Sequence, residues 1–593
     1  MCRIAGIIDH QKIPSKEVIC NMRDSMRHGG PDDAGIYINE DLHLAFGHRR
    51  LSLIDLSSLG HQPMTDKEEN IVLIFNGEIF NFQTIKKQLL HKGYSFVSSS
   101  DTEVIIYAYI EWGNSCFAKF NGMFALALLD KRSNKLILAR DHAGIKPLYY
   151  SIDKHSFYFA SEVRAFKKIN SAWSSNLDWK KYFLLFGHLP EPVTTLENVQ
   201  ALPKGHLLEI ELSTLHATLT SFTATYFNYS IFSEEEAIEK IRNTLTAAVE
   251  RHLISDAPIG LFLSGGIDSS LLTILAKPFV GDNLQTLSIV FDDERFSEKQ
   301  YQQIIIQQTN AQHTSFLVNE EEFKNSLPDI LNAMDQPSYD GINSYFISKY
   351  AKQYGLKAVL SGLGADELFG GYPSFGRAAS LNKIKWLPSF LLKAADIVPD
   401  DKKKKLSFLH LKNILGDYLL HRGVFVPSQI AALLGCSEDE IDQFIQQIPV
   451  PSFLKKIHPL EQVSYYEVNW YMQNQLLKDT DYMSMWHSIE VRVPFLDKEL
   501  MQLAYSIHPS VRFNTERPKH LLTKAFAKEL PEAIWNRKKQ GFTFPFEQWM
   551  QHVQLQTNDS TTTGLHKKLL SGDIHWSRYW CYLLSKEETV HYG

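Results

Sequence analysis

The sequence predicts two domains of different architecture, an α+β sandwich followed by an α/β unit built on a parallel sheet. Three observations carry this. The chain has 593 residues, too many for one hydrophobic core. Up to about residue 210 it reads as short alternating or apolar runs broken by Gly, Asn and Asp, the pattern of strands and turns. From Ser233 onward the texture changes to long helical periods interrupted by two strand-turn-helix units, which imply a parallel sheet with ligands at the carboxyl ends of its strands.

In the first part, strands are expected over residues 3–8, 42–48, 70–75, 123–130 and 135–139. Helical patterns interrupt them over 82–91 and 102–112, the second with Val104, Ile105, Ala108 and Tyr109 on one side. Residues 203–232 are rich in Thr, Ser and Tyr without a helical period, which reads as a connector. The string SEEEAIEKIRNTLTAAVERHL then opens a helix behind a Ser233 N-cap with an acidic first turn. A strand over 259–263 leads into a helix over 264–276, and a strand over 358–360 into a helix over 361–368. There is no internal repeat and no low-complexity tract.

Composition narrows the function classes. The net charge is -6, from 61 Lys+Arg against 67 Asp+Glu, and the one dense basic run is Lys402 to Lys405. A nucleic-acid binder needs a visible basic surplus, so none is expected as a partner. No stretch reaches the ~20 apolar residues that cross a bilayer, and the N-terminus lacks the features of a secretion signal, so no membrane is expected either. Five scattered cysteines without CxxC spacing fit a reducing compartment, and the cytoplasm is the expected location.

Cys2 follows the initiator Met, whose removal would leave a free α-amine. Such an amine titrates near pH 7.7–8 and can act as general base for its own thiol. Any residue can stand second, so position alone assigns nothing; the surrounding strings do. MCRIAGI, RHGGPDDAG, GHRRLSLIDLS, FNGEIFNF, SSSDTEV, NGMFALALLD and RDHAGIKPLYY occur in that order over about the first 165 residues. Together they resemble the class II glutamine amidotransferase domain. The resemblance implies a four-layer α+β sandwich of the N-terminal nucleophile hydrolase type. It also implies Cys2 as nucleophile, Asn76 and the Gly77 amide as oxyanion hole, Arg50 for the α-carboxylate of glutamine, and Glu78 and Asp101 for its α-ammonium. One departure is visible: the resembled motif reads His-Arg-Gly-Pro-Asp where this chain has His28, Gly29, Gly30, Pro31 and Asp32, so changed loop packing with intact chemistry is expected.

LFLSGGIDSS places two Gly and two Ser after an apolar strand and at a helix start, where exposed amides and the helix dipole make an anion cradle. A bare Gly-rich turn can be only a turn. The full string Leu263, Ser264, Gly265, Gly266, Ile267, Asp268, Ser269 resembles the pyrophosphate loop of ATP pyrophosphatases. VLSGLGADELFGGY supplies Ser361, Gly362, Leu363, Asp366 and Glu367 after a second strand. The alternative reading of this carboxylate pair is a helix N-terminal charge cap. With LLKDTDYMSMWHSIEVRVPFLD and NRKKQGFTFPF, these motifs resemble the synthetase domain of glutamine-hydrolysing asparagine synthetases over nearly all of 236–550. The resemblance implies ATP and magnesium as cofactors. Asp268 and Asp366 would hold the metal, Lys539 would neutralise the leaving phosphates, and the strand around Val290 would give adenine-side contacts.

The implied division is 2–205 for glutamine hydrolysis, 206–235 as connector and 236–593 for synthesis. The implied reaction is amide formation on an acyl-adenylate, with small-molecule substrates and a homodimer as the expected assembly. Leu363 departs from the family, which reads Ser-Gly-Glu-Gly there; leucine neither accepts a proton nor binds an α-ammonium. The resemblance still implies aspartate as the acceptor, and Leu363 raises another carboxylate, a sugar uronate or a secondary metabolite, as the alternative. A binding protein with a decayed site is disfavoured by the presence of Cys2, Arg50, Asn76, Asp101, Asp268, Asp366 and Lys539. A β-lactam-forming synthetase is disfavoured by retention of Cys2.

Overall fold

The computed structural model describes residues 2–169, 173–223, 227–514, 517–537, 544–555, 560–586 and 590–592. The first part holds two six-stranded sheets. Their strands are β1 (Arg3–Asp9), β2 (Asp33–Asn39), β3 (Leu44–Arg50), β4 (Met64–Thr65), β5 (Ile71–Ile79), β6 (Gly122–Asp130), β7 (Lys135–Arg140), β8 (Tyr149–Ile152), β9 (Ser156–Ala160), β10 (Gln200–Ala201), β11 (His206–Glu211) and β12 (Ala217–Ser221). One sheet runs β10-β8-β9-β1-β3-β2 and the other β12-β11-β7-β6-β5-β4.

Both faces of each sheet are buried, and strand alternation sorts the side chains. Ile4 and Ile8 of β1 meet Val72 and Ile74 of β5 and Ala125, Ala127 and Leu129 of β6 between the sheets. Ile71, Leu73 and Phe75 face the other way, against helices Phe82–His91 and Asp101–Trp112. Ala5 and Ile7 likewise face helix Lys16–Asp24 on the far side. The result is the four-layer sandwich of the N-terminal nucleophile hydrolase type.

Residues expected to begin a connector at 206 instead form β11 and β12, two further strands of the second sheet. Leu208 and Ile210 enter the sandwich core while Leu207 faces the helical layer, so the lack of a helical period there reflects a period of two. The Thr-rich β12 is the exposed edge, where β-branched residues are at home.

The second part is built on a five-stranded, all-parallel sheet. Its strands are β13 (Ile259–Phe262), β14 (Gln285–Val290), β15 (Gln312–Leu317), β16 (Ala358–Leu360) and β17 (Glu490–Arg492), ordered β15-β14-β13-β16-β17. Helix Glu234–His252 leads in, and Ser233 accepts from the Glu236 amide as its N-cap. Buried and part-buried polar contacts join the two parts. Asn121 Nδ2 donates to Asp497 at 3.0 Å, His142 Nε2 bonds the Leu496 carbonyl at 2.9 Å, and the Asp55 amide donates to Asp256 at 2.8 Å.

Candidate active sites

The first site assembles at the strand ends of the sandwich. Antiparallel pairing of β1 with β3 sets Arg3 opposite Arg49, which brings Cys2 beside Arg50. Cys2 is buried and its nitrogen donates to Asn76 Oδ1 at 3.2 Å. Burial pushes the thiol pKa up, opposed by a hydrogen bond from the Leu51 backbone and by the Arg50 charge. A thiol so raised needs a base to react.

Asn76, Gly77 and Glu78 follow one another on β5. Gly77 has φ 151°, and a Cβ there would lie 2.0 Å from the Met123 carbonyl oxygen on β6, so only glycine lets the strands close at this point. Asn76 Nδ2 is buried without a hydrogen-bond partner, and so is Glu78 Oε2. A donor and an acceptor buried unpaired in one pocket are costly unless a ligand completes them. Asp101, the first residue of its helix, accepts from the Ile79 amide at 2.9 Å, which ties that helix to the end of β5. Burial raises the Asp101 carboxyl to about 6, and burial with Asp101 and Glu490 nearby holds Glu78 well above the usual carboxylate range. Two carboxyls with raised affinity for protons are suited to receive a cationic group instead.

Arg50 carries a duty the sequence did not reveal. Its guanidinium donates to the carbonyls of Ile54, Asp55 and Ser57, so it holds the 51–57 loop over the pocket. Gly60 packs against it, where a Cβ would lie 1.9 Å from Nη2.

The second site is a cavity of about 560 Å³ at the carboxyl ends of β13, β14 and β16. Helix Ile267–Val280 begins three residues later than expected, because 264–266 form the loop itself. Ser264 Oγ and Ser269 Oγ bond each other at 3.0 Å, closing the loop onto the first helical turn. Gly265 has φ 87°, a conformation that excludes most side chains, and its carbonyl accepts from Arg537 at 3.0 Å. Gly266 caps the helix, whose positive end is directed into the cavity.

Asp268, Ser361, Gly362, Leu363 and Asp366 line the same cavity. A Cβ at Gly362 would lie 2.7 Å from Asp268 Cβ, so glycine allows the 361–364 turn to touch helix Ile267–Val280. From β14 the wall is made by Leu287, Ser288 and Ile289, just before the expected Val290, which ends the strand. Lys539 lies outside the described residues. Lys519, which sequence reading passed over, sits between the carboxylates, with Nζ 2.5 Å from Asp268 Oδ2 and 2.7 Å from Asp366 Oδ1. Nothing in its sequence spacing links it to either Asp. The two carboxylates thus converge within reach of one cation. Among the described residues no group of three or more His, Cys, Asp or Glu could hold a metal. A pair of carboxylates completed by phosphate oxygens and water is the usual arrangement for magnesium.

The two sites stand on opposite faces of one short strand. Val491 of β17 lines the second cavity. Its neighbours Glu490 and Arg492 face the sandwich, with Arg492 Nη2 3.7 Å from Glu78 Oε1 and Arg492 Nε 2.5 Å from Glu490 Oε1.

Comparison with known proteins shows the family. The family described as "Asparagine synthase" matches residues 240–566 and "Glutamine amidotransferase domain" matches residues 1–223. The chain is 32% identical to asparagine synthetase [glutamine-hydrolyzing] 1 of Bacillus subtilis over 93% of its own length and 88% of that protein. It is 29% identical to asparagine synthetase [glutamine-hydrolyzing] 3 of the same organism, over 96% and 92%. It is also 27% identical to amidase chry2 of Gibberella zeae, over 93% and 90%. The chain therefore belongs to the asparagine synthase family of glutamine-hydrolysing, ATP-dependent ligases, with a glutamine amidotransferase domain at its N-terminus.

Proposed function

We propose that the protein hydrolyses glutamine at Cys2 and uses the ammonia to amidate an acyl-adenylate, aspartate being the acceptor. The observation that supports this most directly is β17, one strand with a glutamine-pocket face and a nucleotide-cavity face. Ammonia released on one side has to pass only this layer to reach the other.

In the first half-reaction, once removal of Met1 has freed the Cys2 α-amine, the Cys2 sulfur attacks the side-chain amide carbon of glutamine and the thiol proton passes to that amine of Cys2. Asn76 Nδ2 and the Gly77 amide receive the developing oxyanion, and Glu78 with Asp101 receives the α-ammonium. Collapse returns the proton to the leaving ammonia, and water hydrolyses the thioester to glutamate. In the second, the acceptor carboxylate attacks the α-phosphorus of ATP held at 264–269 and pyrophosphate departs. Ammonia then replaces AMP at the acyl carbon. Asp268 and Asp366 would hold magnesium, which when bound neutralises the phosphates. We assign 2–223 to the first activity and the chain from Ser233 to the second, with small-molecule substrates, a homodimeric assembly and a cytoplasmic location.

Leu363 supports a second reading, a different carboxylate acceptor. It places an apolar group in the cavity wall where the family carries glutamate. The test is pyrophosphate and amide formation over a panel of carboxylates with ATP, magnesium and glutamine labelled with ¹⁵N at the amide. Aspartate giving labelled asparagine supports the first reading, and turnover confined to another carboxylate supports the second. No pyrophosphate with any acid would remove both.

A further inference from the structure

Helix Lys478–Trp486 lies between the two sites. Asp479 and Thr480 line the nucleotide cavity. Asp481, Tyr482 and Trp486 reach the sandwich. Asp481 pairs with Arg3 Nη2 at 2.8 Å and Lys146 Nζ at 3.4 Å, the Tyr482 hydroxyl bonds that of Tyr149, and Trp486 packs on His28 with ring centroids 4.7 Å apart.

Arg3 is the chain neighbour of Cys2 and is fully buried. Its Nε donates to Glu162 Oε1 at 2.6 Å, the oxygen that also contacts His28 Nε2 at 2.9 Å. Gly29 is what lets it fit. A Cβ at position 29 would lie 2.7 Å from Arg3 Cγ and 2.9 Å from Arg3 Nε. The loop reads His-Gly-Gly-Pro-Asp where the resembled motif has an arginine second. The guanidinium missing from the loop is thus delivered into the same space from β1.

We propose that Arg3 is a positioning residue that couples the two half-reactions, linking the nucleotide-cavity helix through Asp481 to the backbone of Cys2. The inference rests on Cys2 being the glutaminase nucleophile. ATP and acceptor entering the cavity meet Asp479 and Thr480, and any shift of that rigid helix carries Asp481. A buried ion pair transmits the shift to Arg3 and hence to the adjoining Cys2, whose nitrogen is fixed by Asn76. Such coupling is reciprocal in binding: glutamine also tightens the second site.

The test uses the full-length protein. Glutamate release is followed with and without MgATP and aspartate, and ammonia-dependent pyrophosphate release in parallel. In the wild type, filling the second site is expected to raise glutamine kcat/KM about fivefold or more. Arg3→Ser is expected to keep basal glutaminase and ammonia-dependent synthesis but lose the increase. Arg3→Ser with Gly29→Arg is expected to restore it, since the guanidinium returns to the same place. An undiminished increase in Arg3→Ser, or none in the wild type, overturns the proposal. Should Arg3→Ser fail to fold, the near-isosteric Asp481→Asn gives the same comparison, a lost increase supporting and a full one overturning. Failure of the underlying reading shows separately, as glutamine hydrolysis surviving Cys2→Ala.

Discussion

Replacing Asn76 with alanine removes two interactions whose sizes follow from the structure. Nδ2 is a buried donor without a partner, and Oδ1 accepts the Cys2 nitrogen at 3.2 Å. Loss of one oxyanion-hole donor costs about 10²–10³ in kcat, or about 2.7–4 kcal/mol. Loss of an ordinary hydrogen bond to Cys2 adds about 0.5–1.5 kcal/mol. Glutamine hydrolysis should therefore slow by about 10²–10⁴-fold. Asn76→Asp keeps an acceptor for Cys2 but sets a carboxylate beside the developing oxyanion, so it should be at least as slow; it separates positioning from donation. Folding stability should change little in Asn76→Ala, because one hydrogen bond is lost while one unsatisfied donor is removed with it. The assay is glutamate release from glutamine, with ammonia-dependent pyrophosphate release and thermal unfolding as controls. A glutaminase rate within about threefold of wild type, or an equal loss in the ammonia-dependent reaction, would refute the reasoning.

Asp268→Asn and Asp366→Asn should each suppress pyrophosphate release and spare glutamine hydrolysis, since each removes charge from the place where magnesium would sit; normal ATP turnover in either variant would return that carboxylate to helix capping. Gly362→Ala should also suppress pyrophosphate release, because its Cβ, 2.7 Å from Asp268 Cβ, displaces that side chain, and glutamate release measured alongside should not change. Asp101, with its carboxyl raised to about 6, is neutral below that pH and anionic above it, so the KM for glutamine should rise as pH falls through 6; a flat profile would place the α-ammonium elsewhere. Leu363→Glu should improve aspartate-dependent pyrophosphate formation with ammonia as nitrogen donor, a polar group being restored to an apolar wall. Wild-type turnover of aspartate as fast as its glutaminase would show the leucine to be neutral.

The strands β1, β3, β5, β6 and β7 and the helices at 82–91 and 234–252 were legible because each is governed by its own sequence: alternation, helical period, a Ser cap. The glycines at 77, 265 and 362 were legible as motifs, although the atoms that crowd a Cβ there come from β6, from Tyr301 and Gln302, and from Asp268. What escaped reading depends on pairs far apart in the chain. Lys519 meets Asp268 and Asp366 only through the fold. Arg50 holds up its own loop by donating to backbone carbonyls, which leave no mark in a sequence. Residues 206–221 read as a connector because an edge strand needs few apolar residues, and only pairing with β7 shows what the alternation in β11 is for.

The three residues of β17 make a point about recombination. By chain position the strand belongs to the synthetase half, yet Glu490 and Arg492 furnish the charge behind the Glu78 pocket and Val491 faces the other cavity. A hybrid that joins the front half of one relative to the back half of another at residue 230 would part Glu78 from the arginine it grew up with. Swapping 490 and 492 together with the front half would keep each pocket native, whereas a single inserted or deleted residue in this strand would exchange the faces and spoil both sites at once.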